Sequence, residues 1–415
     1  MRDGNVPLPP LPGDERAGVD LTHTSGDALS ARSSISPDSA AYGSLDSAMS
    51  HPAAQVPAPA ASSTQHDLSS AAPASLALPD ATAQAGTSVT AQDQRVASAA
   101  EATQFARVFN ALVDNVAQAV LGKTPAIRLA LTALFTEGHL LLEDAPGTGK
   151  TSLAKAIAAS IDGTHSRIQF TPDLLPSDVT GVTIYDQKTS SFDFHRGPVF
   201  ASIVLADEIN RASPKTQSAL LEVMEESAVT VDGVTYPAGR PFMVIATQNP
   251  IEQAGTYRLP EAQLDRFLIK TSIGHPDRES VVEILAGAAQ RDRTKGLQPL
   301  VTSRDVVGLA SVAARVYMDP VIADYVARIA EGTHEHESAR VGVSVRGSLA
   351  LARCAKVWAA AQGRNFVIPD DVKSLAPHVL SHRVVVDVDA EFNGVTGRDV
   401  VESVLVQVPP PTSKK

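Results

Sequence analysis

The sequence predicts an α/β fold, in which a parallel sheet is covered by helices and is followed by an all-helical domain. Apolar runs such as SIVLADE at 202–208 and PFMVIATQNP at 241–250 alternate with helical segments. Buried runs of this length, separated by helices, are typical of parallel strands with both faces covered. Beyond about residue 275 the apolar runs stop, while helical periodicity continues.

Each element has its own pattern. Apolar residues at helical spacing, among them Phe105, Phe109 and Leu112, give the first helix one apolar face. A second helix follows at about 125–136, and two more begin at Thr151 and near 215. The predicted strands lie at 139–142, 166–170, 202–208 and 241–250, and the later helices at 277–288, 303–316, 320–331, 346–362 and 369–380.

The first part of the chain differs from the rest in composition. Residues 1–95 are rich in Ala, Ser, Pro, Asp and Thr, and Tyr42 is their only aromatic residue. Such a segment buries too little apolar surface to offset its conformational entropy, so we expect it to be disordered. The predicted domains are this tail at 1–95, a nucleotide-binding core at 96–274, a helical domain at 275–408 and a C-terminal tail at 409–415.

Composition and charge exclude several classes of function. The net charge of -11 argues against binding nucleic acid or an anionic membrane by bulk electrostatics. A single cysteine, Cys354, cannot form an intrachain disulfide and fits a reducing compartment. No apolar run approaches the roughly 20 residues that span a bilayer, and the first residues lack the apolar core of a signal peptide. We therefore expect a cytoplasmic protein without a membrane span.

A phosphate-binding loop is predicted in LLLEDAPGTGKTSLAKAIA at 140–158, where a strand enters a Gly-rich turn and then a helix. Glycines allow the backbone amides to turn toward phosphate oxygens, and the helix N-terminus adds a partial positive charge. Lys150 is expected to reach the β- and γ-phosphates of ATP, and the Thr151 hydroxyl to bind Mg²⁺. The predicted nucleotide-binding residues of this loop are Pro146, Gly147, Thr148, Gly149, Lys150, Thr151 and Ser152.

One position departs from the usual loop pattern. Asp144 stands where G-x-x-x-x-G-K-[ST] has its first Gly. That position does not contact phosphate but needs a tight exit from the strand, and Asp tolerates such backbone geometry. We therefore expect the loop to bind a nucleotide despite the substitution.

Polar side chains end two of the predicted strands. Asp207 and Glu208 follow the run IVLA, and Asn249 follows VIATQ. A carboxylate at this edge can hold Mg²⁺, which we assign to Asp207, and the next one can act as general base for water, which we assign to Glu208. Asn249 can position the water, although an Asn after a strand is equally often only a turn former.

Four blocks of the sequence resemble the MoxR branch of the AAA+ ATPases. They are LLEDAPGTGKT, HRGPVFASIVLADEINRASPKTQSALLEVMEE, IATQNPIEQAGTYRLPEAQLDRF and VRGSLALARCAKVWA, and the resemblance covers about residues 105–408. It implies a three-layer core, a helical lid and a ring, usually a hexamer, with ATP between subunits. Glu-Asp before the loop is common in that branch.

The resemblance also implies roles for single residues. Arg266 would be the arginine finger that reaches the nucleotide of a neighbouring subunit. Arg346 would be a second sensor that reaches the γ-phosphate of its own subunit. Val120 and Gly122 would line the adenine pocket. Val345 stands where the branch often has Pro.

The same resemblance implies hairpin insertions at 179–198 and 229–242 and a chaperone-like function. Many members of the branch work with a partner that carries a von Willebrand factor A domain. The magnesium-chelatase ATPase subunit and replicative helicases share the core with its insertions, but the hairpin tips DQKTSS and VDGV are nearly neutral, which disfavours a helicase. An adaptor that binds ATP without turnover is disfavoured, because a scaffold has no chemical need for a base or a finger. The residues whose joint presence argues against it are Lys150, Asp207, Glu208, Asn249 and Arg266.

Overall fold

The structure is a computed structural model that describes residues 95–144, 147–249, 256–286 and 292–412. The tail predicted at 1–95 therefore lies outside the described residues except for Arg95, and so does Pro146 of the predicted loop. The predicted domain boundaries at 96, 274 and 408 stay predictions.

Helices and strands follow one another nearly as the sequence predicts. The strands are β1 Leu140–Glu143, β2 His165–Gln169, β3 Gly181–Asp186, β4 Ser191–Arg196, β5 Ile203–Asp207, β6 Ala228–Val231, β7 Val234–Pro237, β8 Met243–Gln248, β9 Ile269–Thr271, β10 Ala339–Val341 and β11 Val385–Val386. The helices are α1 Ala99–Ala117, α2 Thr124–Phe135, α3 Lys150–Ser160, α4 Pro176–Thr180, α5 Pro214–Glu226, α6 Glu261–Leu264, α7 Arg278–Ala286, α8 Ser303–Ala314, α9 Pro320–Glu335, α10 Val345–Ala361, α11 Pro369–Leu380, α12 Val388–Phe392 and α13 Gly397–Gln407.

The main sheet has the strand order β2-β5-β8-β1-β9, and its strands are parallel. Strand β8 lies between β5 and β1, although it comes last of the three in the chain. The carboxyl ends of β1, β5 and β8 therefore meet at one edge of the sheet. In open α/β sheets, ligands bind outside the carboxyl ends of the strands, at the point where the strand order reverses.

Helices cover both faces of the sheet. Successive side chains of a strand point to opposite faces, so Leu140 and Leu142 pack into one apolar core while Leu141 packs into the other. The first core includes α1, α2, α3 and the lid helices, and the second includes α5. The three-layer α/β prediction is confirmed.

Two hairpins project from this core, as predicted. Strands β3 and β4 pair antiparallel, and so do β6 and β7. The turn between β6 and β7 contains Asp232 and Gly233, with φ of 51° and 79°. Two successive positive φ angles are typical of the tight turn that an Asp-Gly pair predicts.

Among the described residues of the lid, two short strands form one small ribbon. Strands β10 and β11 pair antiparallel, with Ala339 opposite Val386. The prediction that strands stop beyond residue 275 was therefore wrong for these two strands. Strands of two and three residues are too short to give a periodic pattern in the sequence.

Candidate nucleotide-binding site

The loop between β1 and α3 has the backbone conformation that glycine favours. Gly147 and Gly149 have φ of +85° and +98°, and a Cβ added at either would meet no atom within 4 Å. Backbone conformation rather than crowding therefore requires glycine here. Helix α3 begins at Lys150, so its N-terminal amides lie at the end of the loop.

The predicted phosphate-binding lysine lies against the start of the loop. Lys150 Nζ donates a hydrogen bond to the backbone oxygen of Asp144 at 3.0 Å. Asp144 is not among the described residues with positive φ, so the expected tolerance of unusual backbone geometry does not explain it. Instead, its buried carboxylate accepts hydrogen bonds from the backbone amides of Ile273 and Gly274.

A cavity of about 380 Å³ brings most of the predicted site residues together. Its volume lies in the range of ligand sites. The predicted residues that line it are Gly147, Gly149, Lys150, Thr151, Ser152, Asp207, Glu208 and Asn249. They come from the loop and from the ends of β5 and β8, which the sheet order places side by side.

A second cavity, of about 410 Å³, is also lined by residues of this loop. It is lined by Val120 and Thr148, and it shares Gly147, Gly149 and Ser152 with the first cavity. Gly122 does not line this cavity, although its neighbours Leu121 and Lys123 do. Its φ is +68°, and a Cβ added there would lie 2.3 Å from Ser280 Oγ in α7. The two cavities thus share part of the loop, and each is lined by both polar and apolar atoms.

One hydroxyl group contacts the carboxylate of Asp207 and the backbone of Glu208. Thr247 Oγ1, at the end of β8, donates to Asp207 Oδ1 at 2.7 Å and accepts from the backbone N–H of Glu208 at 2.9 Å. Glu208 has φ of 57°, which is uncommon for a residue with a side chain. Such a conformation costs about 1–3 kcal/mol and persists only where the surroundings fix it, often at functional sites.

Two polar side chains of β2 were not predicted to belong to the site. Arg167 forms an ion pair with Asp207 at 2.6 Å, and Gln169 donates to Glu208 Oε2 at 3.1 Å. Glu208 Oε2 is also 3.2 Å from Arg211. Arg167 and Gln169 are two positions apart, so they lie on one face of β2. This alternation is the sequence signal that could have indicated a shared site.

The donor set fits Mg²⁺ bound together with a nucleotide. Within residues 95–144, 147–249, 256–286 and 292–412, no group of three or more His, Cys, Asp or Glu side chains is placed to hold a metal ion. Mg²⁺ is usually bound by one or two carboxylates together with the phosphates of its substrate. Asp207 and Thr151 line the cavity at the loop and supply one carboxylate and one hydroxyl group.

The two predicted arginines lie together on another carboxylate. Arg266 Nε is 2.8 Å from Glu225 Oε2, and Arg346 Nη1 is 3.1 Å from Glu225 Oε1. Hydrogen bonds from Arg266 and then from Arg346 hold the pKa of the Glu225 carboxyl below its usual value. Neither arginine is among the described residues that line the two cavities at the loop. The structure therefore groups these arginines with each other and not with the loop.

Comparison with known proteins agrees with this geometry. The profile of the ATPase family associated with various cellular activities (AAA) matches residues 139–269, and that of the AAA lid domain matches residues 331–404. The uncharacterized protein YeaC of Bacillus subtilis is 46% identical over 302 residues, which cover 73% of this chain and 94% of YeaC. Chaperone MoxR1 of Mycobacterium tuberculosis is 40% identical over 310 residues, covering 71% and 80%. This chain belongs to the MoxR branch of the AAA+ ATPases.

A solved structure supports the MoxR-type fold. The crystal structure of a candidate ATPase from Cytophaga hutchinsonii superposes with a TM-score of 0.70 at 36% identity, covering 75% of this chain and 98% of that one. Core and lid of this MoxR-type chain thus share the arrangement of a known protein. Within the part of the chain that the structure describes, no helix is both long and apolar enough to cross a membrane.

Proposed function

We propose that this MoxR-type protein hydrolyses ATP as a ring, in which each site is completed by a neighbouring subunit, and that hydrolysis remodels or matures a partner protein. The observation that carries the proposal is the separation of Arg266 from the loop cavity. A finger that does not line the cavity of its own subunit can serve the site of the next one. By family resemblance the ring is a hexamer.

Within one subunit, the loop and the strand ends divide the chemistry. Lys150 binds the β- and γ-phosphates, and Thr151 and Asp207 hold the Mg²⁺ that accompanies ATP. Glu208 accepts a proton from the water that attacks the γ-phosphorus, while the P–O bond to ADP breaks. Asn249, buried at the edge of the cavity, orients that water.

The remaining charge stabilisation comes from the neighbour. Arg266 and Arg346 are held on Glu225 by charge-assisted hydrogen bonds, so both guanidinium groups are presented from one position. The resemblance assigns Arg346 to the γ-phosphate of its own subunit. Its place beside Arg266 favours the neighbouring site instead.

The partner is a protein rather than a nucleic acid. The β3–β4 hairpin exposes Val182, Ile184, Tyr185 and Phe192, and exposed apolar groups of this kind mark protein-contact surfaces. MoxR1 of Mycobacterium tuberculosis is named a chaperone. By resemblance, the partner acts with, or itself carries, a von Willebrand factor A domain. A magnesium-chelatase-like target is the alternative.

Mixing two inactive variants tests the ring. Lys150→Ala is expected to lose ATP binding, and Arg266→Ala to bind ATP but turn over about 10³-fold or more slowly. Co-assembled rings should regain activity, because some interfaces combine an intact loop with an intact finger. Subunit exchange is first confirmed with differently tagged chains.

The control is Arg398→Ala, which removes an exposed arginine paired with Glu402 and should turn over like the parent. If co-assembled rings of Lys150→Ala and Arg266→Ala are no more active than rings of either variant alone, the proposed ring arrangement is contradicted. An Arg266→Ala protein that retains full activity alone would assign Arg266 to the surface of its own subunit.

A further inference from the structure

A buried arginine of the lid reaches the segment that carries Arg266. Arg383 ends a short 3-10 turn after α11, and its side chain is only 3% exposed. Its Nε donates to Asp265 Oδ1 at 2.6 Å. Its two terminal nitrogens donate to backbone oxygens on either side of Arg266, at distances of 3.2 Å to Asp265, 2.8 Å to Phe267 and 3.2 Å to Leu268.

These bonds hold the backbone at 265–268 in place in addition to pairing the charge of Arg383 with that of Asp265. A guanidinium group is planar and offers five N–H donors in a rigid fork, so carbonyl oxygens that bind it are held in one arrangement. A buried cation is tolerated only when its donors are satisfied. The carbonyls of Asp265, Phe267 and Leu268 therefore cannot shift without leaving donors of Arg383 unpaired.

The same side chain contacts the start of the helix that carries Arg346. A Cβ added to Gly347 would lie 2.8 Å from Arg383 Cδ, so the absence of a side chain at 347 leaves the space that Arg383 fills. Arg346 Nε is also 3.7 Å from Asp265 Oδ2. Arg383 thus lies between the two segments whose arginines meet on Glu225.

A purely structural role would be to join lid and core. Arg383 does donate to the backbone oxygen of Val379 in α11, which anchors it within the lid. Its core contacts, however, are concentrated on 265–268, the four residues that contain the predicted finger. This concentration favours a specific effect on the finger over general adhesion.

We propose that Arg383 is a positioning residue for Arg266, through which the lid sets the place of the arginine finger. The inference rests on the proposed function, because it assumes that Arg266 acts on the neighbouring site. Arg383 does not touch the nucleotide in this scheme and acts only through the backbone at 265–268. Misplacement of a catalytic group by about 1 Å can lower a rate about 10²-fold.

The test determines whether a variant damages the nucleotide-binding loop or the arginine finger. Full-length Arg383→Gln should bind ATP with an affinity within about two-fold of the parent, while turnover falls about 10²-fold. Mixed with Lys150→Ala, which keeps its finger, it should regain activity. Mixed with Arg266→Ala, which lacks one, it should not.

A second variant and a control guard against simple loss of folding. Asp265→Asn keeps the shape of the side chain that binds Arg383 but removes its charge. It should give the same pattern as Arg383→Gln, with ATP binding retained and turnover lowered. Arg383→Lys keeps the charge without the fork and should recover part of the turnover. Arg364→Gln removes a different arginine pair inside the lid, with Asp371 at 2.6 Å, and should keep its turnover.

Each outcome decides between the proposals. If Lys150→Ala with Arg266→Ala regains activity but Lys150→Ala with Arg383→Gln does not, the positioning role is overturned and the ring arrangement stands. If the first pair also fails, both are overturned. If Arg364→Gln behaves like Arg383→Gln, the effect is general destabilisation of the lid, and the positioning role is again overturned.

Discussion

Asp144 Oδ2 accepts a hydrogen bond from the backbone N–H of Ile273 at 2.6 Å, across 129 residues of sequence. Its other carboxylate oxygen accepts from Gly274 at 2.9 Å. Asp144 thereby ties the start of the phosphate loop to the chain that leaves β9 toward Pro276, which lines the second cavity. The glycine of the usual loop pattern would leave both amides without this acceptor.

Asp144→Gly is expected to destabilise the fold, since a buried polar group without a partner costs about 1–3 kcal/mol. Asp144→Asn retains one acceptor oxygen and should lose less. Lys150 binds the backbone oxygen of residue 144, which both variants keep, so ATP affinity should fall far less than in Lys150→Ala. Unfolding by urea and calorimetric titration with ATP measure the two effects. If Asp144→Gly is as stable as the parent, the two hydrogen bonds to Asp144 do not stabilise the fold.

Much of the site could be predicted because its residues are contiguous in the sequence. The loop from Gly147 to Thr151 carries its own pattern, and Asp207 and Glu208 end a recognisable strand. The rule that carboxyl ends of parallel strands share an edge then places these segments together. The residues line one cavity, as this reasoning requires.

Other relationships depended on packing that no local pattern records. The bond from Ile273 to Asp144 requires that β9 pair with β1. Arg167 and Gln169 join the site because β2 is the neighbour of β5, and the strand order could not be derived from periodicity. The meeting of Arg346 and Arg266 on Glu225 depends on how the lid packs on the core.

Glu208→Gln should bind ATP and hydrolyse it slowly. The amide has the size of the carboxylate and can still contact Gln169 or Arg211, but it cannot accept the proton from water. Removal of a general base lowers rates about 10²- to 10⁴-fold. The exposed Glu222→Gln is the matched control and should behave as the parent. Single-turnover hydrolysis within about two-fold of the parent would instead indicate a structural role for Glu208.

Cys354 should be inert in the folded protein. It is fully buried in the lid core, and burial raises the pKa of its thiol to about 12. The thiolate is the reactive form, so a thiol-specific reagent at about pH 8 should label the protein only after denaturation. The chain has one cysteine, so total labelling reports this residue alone. Rapid stoichiometric labelling of the native protein would contradict the burial.

His139 should make folding sensitive to acid. Its Nδ1 accepts from the N–H of Val244, its Nε2 lies 3.0 Å from the oxygen of Met224, and burial lowers its pKa from 6.5 to about 4. Between these values the unfolded chain binds more protons, so this contribution is complete above pH 6.5 and is lost as the pH falls toward 4. The shift corresponds to about 3 kcal/mol. Denaturant unfolding across this range should show a shallower pH dependence for His139→Gln, and an unchanged slope would refute the assignment.

Removal of residues 1–94 should leave ATP hydrolysis intact. Every residue assigned to the nucleotide site lies beyond this segment, and the contacts that begin the described fold start at Arg95. Arg95 pairs with Glu101 at 2.9 Å, the Ser98 side chain caps α1, and the N–H of Ala97 donates to Arg315 in the lid. A chain that starts at residue 95 keeps these contacts, whereas one that starts at 102 loses the cap, which is worth about 1 kcal/mol. The first should match the parent in turnover and thermal midpoint, and the second should melt earlier.

If the chain from residue 95 folds and binds ATP but does not turn over, residues 1–94 contribute to assembly or catalysis. Sedimentation of both chains with ATP would then separate a defect in ring formation from one in chemistry.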